Sequence, residues 1–182
     1  MKGIIFTEML AMAEDQIGER RVDHLLDRLN LESGGAYTSV GNYPCSELMQ
    51  LVEAYGDHTG STVGELQRAL GYYTLMRFTD SYAEFFSGKA DALAMLESIE
   101  NDVHAVEVRK LYPDAEVPSL AAERLSDRSL RLTYRSPRPL ADFCQGLIEA
   151  CVEIFGKPGQ VSRRDIDAPG ETVAEFTITL DA

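Results

Sequence analysis

The chain has 182 residues and 45% hydrophobic content, enough for one compact domain, or two lobes of one, able to enclose a small cofactor, with no room for a second large domain. Seventeen Lys and Arg against 30 Asp and Glu give a formal net charge of -13 and a sequence pI of about 4.6, a field that repels phosphate backbones and argues against a nucleic-acid partner. Glu8 and Glu14-Asp15 interrupt the apolar start before an export signal could form, and no uninterrupted apolar run approaches the roughly 18 residues of a membrane helix, so a cytoplasmic protein without a membrane partner is expected.

From the first residues to about position 86 apolar side chains recur every three or four positions, with Gly or Asn at the breaks, which is the period of helices. Ile5, Met9, Met12 and Ala13 mark a first helix that ends near Gly18. Val22, Leu25, Leu26 and Leu29 mark a second, closed by Asn30 and the Ser33-Gly34-Gly35 turn. A third is predicted from about Ser46 to Tyr55, carrying Leu48, Leu51 and Val52. Ser61 and Thr62 offer N-caps for a fourth, with Glu65 three residues beyond Thr62 as its capping-box partner. After Gly71 the segment from Tyr72 to Phe86 is aromatic and reads as largely buried. Ala92, Leu96, Ile99, Val103 and Val106 then form the single apolar stripe of a long amphipathic helix, which must end before Pro113. Residues 113–118 read as an irregular connector.

The last third changes period. Leu130, Leu132 and Tyr134 alternate with Arg131 and Thr133, as in a strand with one buried face. A helix from about Leu140 to Phe155 follows, with Gly156 as its stop. Val161 to Ile166 and Val173 to Leu180, joined at Ala168-Pro169-Gly170-Glu171, make a C-terminal hairpin. The expected class is α+β: a helical N-terminal lobe, then a small antiparallel sheet with a packed helix. Cys45, Cys144 and Cys151 include no CxxC pair and read as reduced, mostly buried thiols.

Two features carry chemistry. Tyr134, Ser136 and Arg138 are spaced two apart, so a strand that continues this far projects two hydroxyls and a guanidinium from the face of Leu130 and Leu132. Such an edge can hold a buried carboxylate through a charge-assisted fork and neutral donors, although the same triplet also suits a solvated strand face. His104 lies one position off the stripe of the long helix, where a satisfied, half-exposed histidine is equally at home. Taken together they meet the needs of a heme: an axial imidazole, donors for two propionates, and an apolar slot between. His24 sits among charged residues and His58 in a polar stretch, and surface roles suffice for both.

The opening Met1-Lys2-Gly3-Ile4-Ile5-Phe6, His104 about fourteen residues before Pro118, and Tyr-x-Ser-x-Arg at Tyr134, Ser136 and Arg138 resemble the H-NOX (heme-nitric oxide/oxygen binding) family, which includes the heme domain of soluble guanylate cyclase. The resemblance covers essentially the whole chain. It implies one domain over residues 1–182, with a helical distal lobe to about residue 86, a signalling helix plus sheet lobe from about 87, and heme b between them. It further implies that His104 is the iron ligand, that Tyr134, Ser136 and Arg138 hold the propionates, and that Pro118 presses the porphyrin out of plane. The gas pocket corresponds to Ile5, Met9, Thr74, Leu75, Phe78, Phe143 and Leu147, each of which also fits a plain core.

In oxygen-binding members a tyrosine nine residues after the first Tyr of the motif donates to bound dioxygen; here that position is Phe143. Dioxygen gains much from a donor in a pocket of low dielectric, whereas NO and CO bind well without one. Thr74 could donate, but its hydroxyl is short and has a helix carbonyl as competitor. The resemblance therefore implies an NO and CO sensor that excludes dioxygen. It also implies that NO loosens the histidine and that the helical lobe then rotates against the sheet lobe, signalling to a separate effector such as a histidine kinase or a cyclic-di-GMP enzyme. An oxygen or redox sensor on the same scaffold, or a heme-free module holding a small carboxylate at Arg138, are the competing readings. No nucleophile, base and orienting group form a set, so no enzyme is expected.

Overall fold

The computed structural model describes residues 1–102 and 116–181. The predicted iron ligand His104, and the part of the predicted long helix that contains it, lie outside the described residues.

Helix α1 (Ile4–Ile17) buries Phe6, Met9, Met12 and Ala13 and stops at Gly18, whose φ of 85° suits a residue without a side chain. Helix α2 (Glu19–Leu26) follows directly and buries Val22. The loop after it is tied to α3 (Cys45–Thr59) by the buried Glu47 carboxylate, which accepts from Ser33 N at 3.0 Å, Ser33 Oγ at 2.6 Å and Tyr37 Oη at 2.7 Å. The predicted capping box forms at the start of α4 (Val63–Ser81): Glu65 N donates to Thr62 Oγ1 and Thr62 N to Glu65 Oε2. Helix α4 then runs straight through Gly71, where the sequence pattern changes without the helix breaking.

A short α5 (Ala83–Phe86) leads to α6 (Ala92–Ser98), capped by Asp91 accepting from Ala94 N at 2.8 Å. The described chain continues α6 as a π-helical turn over 99–102. Strands β1 (Ser119–Ser126) and β2 (Ser129–Ser136) precede α7 (Ala141–Ile154), and β3 (Gly159–Ile166) and β4 (Thr172–Leu180) complete an antiparallel sheet of order β1-β2-β4-β3. The architecture is α+β, as expected. The one strand absent from the sequence reading is β1, an edge strand in which Leu120 alone is buried, so no alternation announces it.

Among the described residues two apolar cores result. One lies within the helical half and gathers Phe6, Met9, Met12, Leu48, Val52, Tyr55 and Leu70. The other lies under the sheet, where Leu130, Leu132 and Tyr134 of β2 stand opposite Ile178, Phe176 and Ala174 of β4 and meet Leu93 and Leu96 of α6 and Ile148 of α7. Among the described residues, the most extensive contact between the halves is the crossing of α4 and α7. A methyl group on Gly71 would stand 2.0 Å from the Phe143 carbonyl oxygen, and one on Gly146 would stand 1.9 Å from that of Arg68. The two backbones touch, and glycine at both contacts is what lets them. Among the described residues no helix is long and apolar enough to cross a membrane.

Candidate functional site

Between the two cores lies a cavity of about 300 Å³, within the size range of small-molecule sites. Ile4 and Ile5 of α1, Thr74, Leu75 and Phe78 of α4, and Phe143 and Leu147 of α7 wall one side. Phe85, Phe86, Met95, Leu96, Leu120, Leu132 and Ile148 close much of the rest. Apart from Thr74 on α4, most of the polar side chains of the lining gather where Tyr134, Ser136 and Arg138 stand with Lys2 and Glu116, beside Pro118.

That edge is built by the end of β2. Period-two alternation continues through the strand, so Tyr134 and Ser136 are both 3% exposed and face the cavity side with Leu132. Arg138 lies two residues beyond the strand, and the Ser136 hydroxyl accepts its backbone N–H at 3.1 Å, which folds the guanidinium back towards the edge. Arg138 Nη1 donates to the Glu116 carbonyl oxygen at 2.8 Å and Nη2 to the Glu116 carboxylate. Burial pushes the Tyr134 phenol up to about 12, with a hydrogen bond to Ser136 pulling the other way. The phenol therefore stays a neutral donor at any physiological pH.

The residues fit a heme. An apolar slot meets a carboxylate-capturing edge, and the guanidinium there already takes one carboxylate, that of the exposed Glu116. Burial raises the thiols of Cys144 and Cys151, which also line the cavity, to about 12. Neutral thiols are neither nucleophiles nor good metal ligands, so both act as apolar wall. Among the described residues no group of three His, Cys, Asp or Glu could hold a metal by itself.

Of the residues singled out in the sequence, Ile5, Thr74, Leu75, Phe78, Pro118, Tyr134, Ser136, Arg138, Phe143 and Leu147 line this cavity. Met9 does not. It is 1% exposed inside the helical core, because the face of α1 that carries Phe6, Met9 and Met12 turns to its own half while Ile4 and Ile5 reach the cavity. The sequence reading missed Cys144, Ile148 and Cys151 as wall residues, although their spacing of four and three along α7 is the signal of one helix face. It also missed Phe85, Phe86, Met95 and Leu120.

The model of the haem-NO-binding family, HNOB, matches residues 2–163. The chain belongs to that family. Its cofactor is heme, and this H-NOX protein is a heme-based gas-sensing protein. The crystal structure of the unliganded Fe(II) H-NOX protein from K. algicida is 37% identical, with a TM-score of 0.91, covering 100% of this chain and 97% of that one. An H-NOX protein from S. oneidensis in the Fe(II)NO state shares the fold at a TM-score of 0.90 and 24% identity, with 100% of each chain covered. An oxygen-binding H-NOX domain related to soluble guanylate cyclases, in its oxygen complex, shares it at 0.84 and 22%, covering 100% and 96%. A comparison with curated proteins gives no match.

Proposed function

We propose that this protein senses nitric oxide, takes CO as a second ligand, excludes dioxygen, and signals to a separate effector by a change of conformation. The fold alone does not choose between gases, since the relatives include an NO complex and an oxygen-binding domain. Phe143 carries the choice. It stands in the cavity wall where oxygen-binding members of the family carry a tyrosine, and a phenyl ring offers dioxygen no hydrogen bond.

A bound heme supplies the iron to which such gases attach. The chain's own residues supply the rest. Arg138 forks towards one or both propionates, Tyr134 and Ser136 add neutral donors, and Ile5, Leu75, Phe78, Phe143 and Leu147 keep water away. His104 is assigned as the iron's protein ligand on the family resemblance, and the exposed positions of His24 on α2 and His58 on α3, away from the cavity, support it. Because the cavity lies between the helical and sheet cores, an occupant that favours one arrangement of the two acts as a switch without turnover. The listening partner is a histidine kinase or a cyclic-di-GMP enzyme.

In air the ferrous protein should show no stable oxy spectrum, while NO and CO each give a distinct one. Phe143→Tyr should raise dioxygen affinity by roughly ten- to a hundredfold, the worth of one good hydrogen bond in such a pocket. A stable oxy spectrum of the parent sinks the selectivity; undiminished heme retention and gas spectra in His104→Ala sink the ligand assignment.

A further inference from the structure

Threonine inside a helix ordinarily turns its hydroxyl back to a carbonyl three or four residues earlier, which satisfies the donor at once. Three threonines of this chain do so: Thr7 donates to the Ile4 carbonyl at 2.9 Å, Thr59 to Tyr55 at 3.0 Å and Thr79 to Met76 at 2.6 Å. Thr74, in the second half of α4, does not. It is 0% exposed, its Oγ1 has no hydrogen-bond partner among the described residues, and it stands in the cavity wall with Leu75, Phe78, Phe143 and Leu147. A buried donor without a partner opposes folding. Valine would fill the same space without that cost, so packing does not account for the hydroxyl. An acceptor that enters the cavity does.

Such an acceptor must be small enough to fit among apolar side chains and must use a single O–H. The outer atom of a diatomic gas meets both conditions, dioxygen most strongly because that atom carries partial negative charge. We propose that Thr74 Oγ1 donates to the outer atom of the gas held in this cavity, and that this residue sets how long CO and dioxygen stay. The proposal rests on the heme gas-sensor reading and refines it. Exclusion of dioxygen becomes a matter of degree, since a hydroxyl on a short stem from α4 makes a weaker bond than the phenol that Phe143 replaces.

The test compares heme-loaded parent, Thr74→Val and Thr74→Ser. A donor to bound CO lowers its C–O stretching frequency, so the band should lie higher in Thr74→Val and return towards the parent position in Thr74→Ser. CO should leave Thr74→Val about two- to tenfold faster, the worth of one ordinary hydrogen bond. The thermal midpoint of Thr74→Val should not fall, because the hydroxyl has no bond to lose inside the fold. An unmoved CO band and unchanged dissociation rates in Thr74→Val overturn the proposal. So does a lowered midpoint or a failure to fold, which would place the hydroxyl's partner in the protein itself. A parent that takes up no heme overturns this proposal and the wider reading together, whereas normal gas uptake with an unmoved band sinks Thr74 alone.

Discussion

Replacing Gly146 with alanine puts a methyl carbon 1.9 Å from the Arg68 carbonyl oxygen and 2.8 Å from both Arg68 C and Tyr72 N. Ordinary carbon contacts sit at about 3.5 Å, so α4 and α7 must part by roughly 1.5 Å. All three obstructing atoms are backbone atoms of a helix, which cannot swing aside as a side chain can. Overpacking of this kind costs about 1–3 kcal/mol where side chains can yield, and the upper end applies here. Against it stands the ordinary gain of about 1 kcal/mol from exchanging glycine for alanine inside a helix. The net loss is about 2 kcal/mol or more, a fall of roughly 4–8 °C in Tm for a chain of this size. The same separation pulls Thr74 and Leu75 away from Phe143 and Leu147, so heme retention should weaken as well. Equilibrium urea unfolding by far-UV circular dichroism reads the stability. Gly64→Ala is the control, because its methyl would meet the Asp142 carboxyl at an ordinary 3.4 Å. It should be neutral or slightly stabilising. If Gly146→Ala matches the control, the backbone contact is not what holds the two halves together and the reasoning fails.

Three further outcomes follow from the same structure. Burial pushes the Glu47 carboxyl up, but hydrogen bonds from Ser33 and Tyr37 outweigh it and hold the group below its ordinary 4.5. Its depressed folded value means stability that is present above about pH 4.5 and lost as pH falls from there through the lower folded value, so Glu47→Gln should cost about 1–3 kcal/mol at neutral pH and flatten the acid limb of a stability–pH profile; an unaltered limb counts against it. Arg138→Ala should speed heme loss to a scavenging protein by roughly ten- to a hundredfold, with Arg138→Lys only partly corrective because an ammonium cannot fork; equal loss rates in all three proteins would show that the edge does not hold the cofactor. The raised thiols of Cys144 and Cys151 give stability that is present below their ordinary 9 and lost as pH climbs towards about 12. At mildly alkaline pH a thiol-reactive probe should therefore spare both in the native protein, leaving the half-buried Cys45, whose thiol burial also raises, to react slowly through its exposed part, and reach all three after denaturation; rapid native labelling of Cys144 would contradict the burial.

Much of the donor edge was legible because strand periodicity is local. Tyr134 and Ser136 face one way wherever β2 lies, and Arg138 needs only the turn that Ser136 caps. The capping box of Thr62 and Glu65 and the glycine stops at Gly18 and Gly156 are local in the same sense, each decided by backbone conformation within a few residues. Helix faces are harder to read. Ile5 and Met9 are neighbours on α1, yet one reaches the cavity and the other the helical core, because a stripe wide enough for two partners does not say which partner each residue meets. β1 was invisible for the opposite reason, an edge strand whose exposed side chains leave no pattern.

By itself the amino-acid sequence determined the α+β class with helices ahead of the sheet, the family motifs and the chemistry available at the end of β2, since these depend on spacing and residue type. Tertiary structure alone decided that α4 and α7 cross backbone to backbone at Gly71 and Gly146, that the cavity opens between two separate cores, and that the Thr74 hydroxyl finds no partner among the described residues. The crossing brings together residues some seventy positions apart, Gly71 with Phe143 and Gly146 with Arg68, the cavity joins segments further apart still, and no local periodicity encodes arrangements of that kind.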